Sequence, residues 1–525
     1  MSKQYDVVIV GGGHNGLTAA AYLAKSGKKV LVLEAKPILG GAAVTEEINP
    51  GFKYSTCAYV SSCLSESAVS DLDLAKHGLK VTPFAGSFMP LPDGRSLFLW
   101  RDDEAKTQEE IAKFSKKDAE RLPEYAALIG RLQNFVWPIL ESPPPDVTEA
   151  GFSMLEMLAP ALRFRRLSEK DMYELMRITT MTAEDYLGEW FESDVVKTSL
   201  GTSIIISVLG PKSPGSAYLL LHTNWGGKWS GLPHGGMGGV SGAIASAAKG
   251  FGAEIRTEAP VAKIRVQNGT ATSVVLESGE EISGRAVISG TDVKRTFNKL
   301  VDSSHLDPKF LWHVRNFKMN GFSAKVNLSL SELPDFTCRP GKEAPHHRGD
   351  IVISGSFEYM ERAFDNAKYG RFPKAPVLDV VIPSTTDPTL APKGKHVMSI
   401  YTHYVPYDLK EGKWEDRREE LGDVVVNTLA KYAPNIKSAI LHRHVLTPLD
   451  IEKEYLITRG DNELGAITLD QLIFLRPVPG YARYRMPVKN LYLCSGSTHP
   501  GGGVMCISGR NAAKEILKDF RSGRL

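Results

Sequence analysis

The chain opens on residues 5–10, Tyr-Asp-Val-Val-Ile-Val, a nearly unbroken apolar run of mostly β-branched residues, too short for a helix. This pattern predicts a strand of a parallel sheet buried on both faces. Glycines at 11, 12, 13 and 16 interrupt it, and residues 17–26 then follow as a helix of small apolar residues that Gly27 is placed to end. A second apolar run over residues 29–33 finishes on Glu34. Further strands are expected at 250–255, 261–266, 273–276 and 285–289, with a hairpin turn at Gln267-Asn268-Gly269. The last strand is expected at 490–494, before a helix from about 508 to 517. Residues 77–229 lose this rhythm. Helical spacing appears over 109–140 and 169–191, separated by Pro143-Pro144-Pro145. Between 301 and 484 the pattern returns to alternating strands, at 322–330, 377–382 and 397–404, with an amphipathic helix over 414–432.

The first strand, helix and strand carry a dinucleotide fingerprint. Gly11 permits the tight turn, Gly13 lets the backbone approach a pyrophosphate beside His14 and Asn15, and Gly16 lets the helix pack on the strand. Glu34, with Ala35 after it, stands where an adenosine ribose is recognised, and its charge repels a 2′-phosphate. A second glycine doublet, Gly40-Gly41 followed by Ala42, favours FAD over a nicotinamide cofactor. Near the C-terminus a further glycine-rich turn, with Gly496, Ser497, Gly502, Gly503 and Val504, again leads from strand to helix. That helix N-terminus is expected to face the flavin, where negative charge develops on reduction. Mid-chain, Val261 is expected to lay its backbone on the adenine, and Gly290 to return the chain to the nucleotide. The implied fold class is α/β: a discontinuous Rossmann-like FAD-binding domain of glutathione-reductase/amine-oxidase type. Its parts are residues 1–76, 230–300 and 485–525, with a helical cap over 77–229 and a mixed-sheet substrate domain over 301–484.

Composition narrows the function. The 525 residues are 42% hydrophobic and 23% charged, with 63 basic against 60 acidic residues, which excludes disorder and gives no broad basic field for nucleic acid. Five cysteines without a Cys-x-x-Cys argue for a reducing compartment and against a dithiol mechanism. With no signal-like segment before the first strand and no apolar run long enough for a membrane span, the expected location is the cytoplasm. Apolar residues at 152–164 beside Arg163, Arg165 and Arg166 suit either a self-packed cap or peripheral contact with a membrane surface. The histidines show no ligand spacing, so no metal is expected, and His346-His347 is read as a solvated loop.

With these pieces together, the sequence resembles carotenoid/phytoene desaturase-like FAD-dependent oxidoreductases of the amine-oxidase fold. Within them it is most similar to the pyridine nucleotide-disulfide oxidoreductase domain-containing proteins and the flavin-type beta-carotene ketolases. The likeness rests on residues 13–17 (Gly-His-Asn-Gly-Leu), 40–47, 235–237, 469–479 and 499–513. It departs from related amine oxidases at Ala42, where they carry arginine, and at Ser497 and Thr498, where many flavoproteins carry aspartate. It implies non-covalent FAD and hydride transfer between flavin N5 and an apolar substrate of polyene or isoprenoid class. His499 and Asn462 are the candidate catalytic residues. Isomerisation or hydration without net redox, and a non-catalytic flavoprotein bound to a partner or membrane, remain as alternatives. No second fingerprint marks a nicotinamide domain, and the oligomeric state is left open.

Overall fold

The computed structural model of the chain describes residues 4–145, 152–206, 208–222, 227–341 and 343–525. Its first sheet has seven strands drawn from three distant parts of the sequence. Tyr5–Val10 lies at the centre, parallel to Val30–Leu33 on one side and to Glu281–Ser289 on the other. Glu254–Arg256 extends one edge, and Leu491–Leu493 pairs in parallel with the end of Glu281–Ser289. The first half of that strand continues into an antiparallel meander with Thr270–Leu276 and Val261–Gln267. Asn268 and Gly269 turn the hairpin, both at positive φ (49° and 74°), as a two-residue turn matching the strand twist requires.

Both faces of this sheet are covered. Helices His14–Lys25, Met237–Gly250 and Ile507–Ser522 bury alanine-rich stripes against Val7, Ile9 and Val32. The small side chains allow a close approach: a Cβ on Gly509 would run into the Asn15 carbonyl. On the other face Val8, Val10 and Leu33 pack with the meander and with Phe297 and Phe310. Apolar strands on both sides of the backbone follow from this double cover.

A second seven-stranded sheet runs in the order Ile440–Leu446, Ser323–Leu330, His396–His403, Leu378–Val381, Asp350–Ile353, Gly86–Pro90 and Ser96–Trp100. Alternation along its strands gives the two faces different chemistry. Ala324, Val326, Leu328, Met398, Ile400, Leu378 and Val380 pack under helix Trp414–Ala430. The opposite face carries the buried polar residues Lys325, Asn327, Ser329, Ser399, His403, Asp379 and Asp350. Residues 45–60 lie over that polar face, with Asn49 and Tyr54 bonded to Ser329 and Tyr59 bonded to Asp379.

Two expectations need correction. Residues 86–100, assigned above to the helical cap, form a hairpin that joins the second sheet, because Gly86–Pro90 pairs in parallel with Asp350–Ile353 far along the chain. His346 and His347 are not solvated. His346 stacks on Phe88 at 4.6 Å, and His347 Nε2 reaches the Pro334 carbonyl at 2.8 Å. The rest of the cap is helical, with Glu104–Ala112, Lys116–Leu140, Glu169–Thr180 and Ala183–Trp190 capped by Asp103, Ser115, Ser168 and Thr182. Helix Phe152–Arg165 exposes Leu158 and Leu162, while the side chains of residues 152–157 and 159 of the expected surface segment lie outside the described residues. Among the described residues, no helix is long and apolar enough to cross a membrane.

Candidate functional site

A single cleft runs from the N-terminus of the first helix to the polar face of the second sheet, enclosing about 2060 Å³ of space, part of it open to solvent. Its first end is made of backbone. Gly11 turns at a φ of 100°, and a Cβ on Gly16 would strike the Gly11 carbonyl. The second doublet braces the first: the Gly40 N–H donates to the Gly12 carbonyl at 2.9 Å, and Gly13 bridges Gly40. The Leu17 N–H bonds back to the Gly13 carbonyl at 2.9 Å, and the N–H groups of residues 14–16 before it have no partner among the described residues. That is an anion cradle with no side chain in the way.

Glu34 closes the outer edge of this cradle. Its Oε2 accepts from the Gly12 N–H at 2.7 Å and its Oε1 from Lys36 at 2.9 Å, leaving a lone pair on each oxygen for a ribose. Ala35, Val261, Pro260 and Glu277 line the space beyond it. Gly290 donates to the Val10 carbonyl at 2.7 Å, which ties the third segment to the first. His14 points between the two glycine turns and bonds the Gly503 backbone. Burial holds its imidazole down at about 4, so it is neutral, and its Nε2 has no partner among the described residues. The backbone cradle, the ribose acceptor and this orphaned nitrogen fit a dinucleotide lying with its diphosphate at the helix N-terminus.

Of the residues singled out from the sequence, Gly11, Gly13, His14, Asn15, Gly16, Glu34, Ala35, Gly40, Gly41, Ala42, Val261, Gly290, Gly496, Gly502, Gly503, Val504 and Asn462 all line the cleft. Two do not. Ser497 turns inward, accepting from the Val293 N–H and donating to the Leu464 carbonyl at 2.9 Å, so it fastens the turn rather than facing a ligand. His499 is buried behind the turn, with Nε2 against the Ile139 carbonyl at 3.1 Å near the end of helix Lys116–Leu140. Burial pushes it down to about 4. It is a neutral packing histidine, drawn away from the cleft by a carbonyl 360 residues earlier in the sequence.

The far end is made of side chains the sequence reading missed. Tyr59 and Tyr401 stack with centroids 5.2 Å apart, and Tyr59 donates to Asp379 Oδ2 at 2.6 Å. His403 Nδ1 faces the Ile205 carbonyl at 3.0 Å, which fixes the proton on that nitrogen, while Nε2 lies 3.7 Å from Asp379. Burial works against the Asp379 charge, yet contacts from His403, Asp350 and Tyr59 outweigh it and keep the carboxyl below its usual range. Asp350, buried beside that charge, is held well above its own and keeps its proton. Lys325 sits behind Tyr59, 4.5 Å above the ring and bonded to Ser399, and burial brings it down to about 7. Burial likewise pushes the Cys57 thiol up to about 12.

A loop at 461–465 closes the cleft between the two ends. The Asn462 amide is engaged at both ends, donating to Tyr401 Oη at 2.8 Å and accepting from Ser323 at 3.1 Å. Glu463 next to it projects into the cleft, and burial raises its carboxyl to about 8, with Asp461 adding to the shift and Arg476 opposing it. Strand alternation was the signal that would have exposed Lys325, Asp379, Tyr401 and His403, since the polar positions of buried strands fall on one face. Among the described residues, no three His, Cys, Asp or Glu side chains converge as metal ligands.

Comparison with known proteins bears on this geometry. Residues 16–517 match the family of flavin containing amine oxidoreductases. The chain is 38% identical to pyridine nucleotide-disulfide oxidoreductase domain-containing protein 2 of Rattus norvegicus, over 99% of this chain and 95% of that one. It is 28% identical to one of the limonene dehydrogenase subunits of Castellaniella defragrans (99% and 95%) and 26% identical to the chloroplastic prolycopene isomerase of Daucus carota (99% and 81%). Among solved structures, an oxidoreductase from Methanosarcina mazei shares the fold with a TM-score of 0.62 at 16% identity, over 98% of this chain and 100% of that one.

Proposed function

The chain belongs to the flavin containing amine oxidoreductases and is an FAD-dependent oxidoreductase, and from that premise we propose that its substrate is an apolar, isoprenoid-class molecule from which or to which a hydride is moved. Bound FAD supplies the two-electron chemistry. The residues of this chain hold the cofactor and shape the space beside it. The helix N-terminus at Gly13–Gly16 takes the diphosphate and Glu34 the ribose, while Cys57, Tyr59, Val60, Ile205, Tyr401 and Leu464 wall a chamber that excludes water from the reacting carbon. The observation that carries this reading is the continuity of one cleft from the backbone cradle to a chamber where those apolar and aromatic walls adjoin the polar side chains of Asp379, His403 and Glu463. The likeness to a limonene dehydrogenase supports the substrate class, and the absence of a Cys-x-x-Cys speaks against disulfide reduction.

A second reading, isomerisation of a polyene without net redox, is favoured by the likeness to prolycopene isomerase. The exposed Leu158 and Leu162 beside Arg163 and Arg165 further suggest a helix that rests on a membrane, where such substrates reside. The test is anaerobic addition of limonene, prolycopene, a primary amine, and NADH or NADPH to the purified protein while the oxidised-flavin band is followed. Bleaching by a hydrocarbon supports dehydrogenation. Bleaching by a nicotinamide alone, followed by conversion of prolycopene, supports the isomerase, and bleaching only by the amine contradicts both.

A further inference from the structure

The geometry points to Glu463 as the catalytic acid–base residue of the cleft, exchanging a proton with a substrate atom held in the chamber beside Tyr401. This rests on the flavin-enzyme reading above and adds to it the group that handles the proton. The sequence motif at 459–465 suggested Asn462, but the structure separates the two neighbours by role. Asn462 is tied at both ends of its amide and is a positioning residue for Tyr401. Neither carboxyl oxygen of Glu463 has a hydrogen-bond partner among the described residues, and the side chain lines the cleft.

The loop that presents it is rigid. Asp461 accepts from the Asn320 N–H at 3.1 Å and from the Glu463 N–H at 3.2 Å, and the Leu464 N–H returns to the Asp461 carbonyl at 2.8 Å. The Leu464 carbonyl takes the Ser497 hydroxyl, and the buried Arg476 guanidinium gathers the carbonyls of Gly465 and Gly496 at 3.1 and 2.7 Å. Gly502 packs on this residue without a side chain: a Cβ there would meet the Glu463 carbonyl oxygen at 2.3 Å and its Cα and Oε2 at 2.5 Å. These bonds fix the backbone of a residue whose own carboxyl bonds nothing, against a glycine that makes room for it. A carboxyl that lines a cleft on a fixed backbone and bonds no protein group is free to exchange a proton with a molecule held there.

The groups that face it are Asp461 on its own loop, Arg476 on the following segment, Cys57 and Cys63 on the segment after the first hairpin, and Tyr401 on the second sheet. Burial outweighs the one cation among them, which leaves the carboxyl protonated at neutral pH. In the step itself the carboxyl O–H bond breaks and the hydrogen bonds to the substrate atom, leaving a carboxylate. In the opposite sense the carboxylate takes a hydrogen as a substrate C–H or O–H bond breaks and its electron pair stays on the substrate.

The test uses the holoenzyme with its flavin counted by visible absorbance. Dicyclohexylcarbodiimide is an apolar reagent that attacks protonated carboxyls, and the adducts are mapped by peptide mass spectrometry. Wild type is expected to form one adduct on Glu463 at a rate that is flat up to about pH 7 and falls about tenfold per unit above about pH 8, and E463Q is expected to form none there. No adduct at that residue, or a rate already falling tenfold per unit between about pH 5 and 7 as for an ordinary carboxylate, overturns the proposal. A second arm measures substrate-driven flavin bleaching by limonene: E463Q with full flavin content is expected to bleach at least about 100-fold more slowly than wild type, and an unchanged rate overturns the proposal even where labelling succeeds. Failure of the underlying reading is distinct, because it shows in the wild type before any variant is made, as a protein without a flavin band or as a flavin that only the amine bleaches.

Discussion

At one end of the cleft the wall is main chain, from Gly11, Gly13, Gly40 and Gly41. At the other it is side chain, from Tyr59, Asp379, Tyr401, His403 and Glu463. The first end is built by local sequence, within 31 residues from Gly11 to Gly41, and works by excluding Cβ atoms. The second is assembled across contacts such as Tyr59 to Asp379, separated by 320 residues, and works through protons held on buried acids. The difference predicts how each end fails. Changes at the glycines decide whether a cofactor binds, whereas changes at the sheet face decide what happens to the substrate beside it.

The largest effect is expected from Gly16→Val. Its branched side chain meets the Gly11 carbonyl, so the variant should retain no flavin and lose about 3 kcal/mol of stability, as read by visible absorbance and urea unfolding. Next comes acid. His14 and His499, both held at about 4 by burial, are neutral when folded but take protons below 6.5 when unfolded, so stability is complete above 6.5 and each costs about 2 kcal/mol by about pH 5. Glu463 has the opposite sign. Its raised value favours the folded state below 4.5, and that gain is lost as pH rises through about 8. Holoenzyme E463Q should therefore lose stability more steeply than wild type on acidification from about pH 8 to pH 5; parallel unfolding midpoints for the two proteins across that range would contradict the half-buried, protonated acid.

Glu34→Ala should weaken FAD binding about 10- to 100-fold by leaving the Gly12 and Lys36 N–H groups without an acceptor, measured by titrating the apoprotein. Asp379→Asn, at the other end, should leave that affinity within about threefold, and an equal loss in both would erase the distinction between the ends. The smallest effect is expected for Ser497→Ala: about 1 kcal/mol of stability from the lost bond to Leu464, with flavin content unchanged.

These expectations track what the sequence made legible. The glycine turns and the strands around them were readable because each demands a local conformation that few residues supply, and Glu34 was readable from its distance to Gly16. The hairpin at 86–100 was not, since its strands are short and their sheet partner lies some 260 residues away. His499 and Ser497 lie in the glycine turn that reaches the cleft, yet the direction of each side chain is set by Ile139 and Leu464, which no local pattern reveals. Asn462 was chosen one residue away from the free acid, because only the structure shows which of two polar neighbours is already bonded. His346 and His347 looked solvated in a polar segment, and Phe88 and Phe336 bury them.

Whether this cleft holds FAD without a covalent bond is read most directly by denaturing the purified protein and identifying what is released. Close to one FAD per chain is expected in the supernatant, with a colourless precipitate. Flavin that stays with the precipitate, release of a mononucleotide in place of FAD, or a protein that is colourless from the start and takes up no FAD would contradict non-covalent FAD binding.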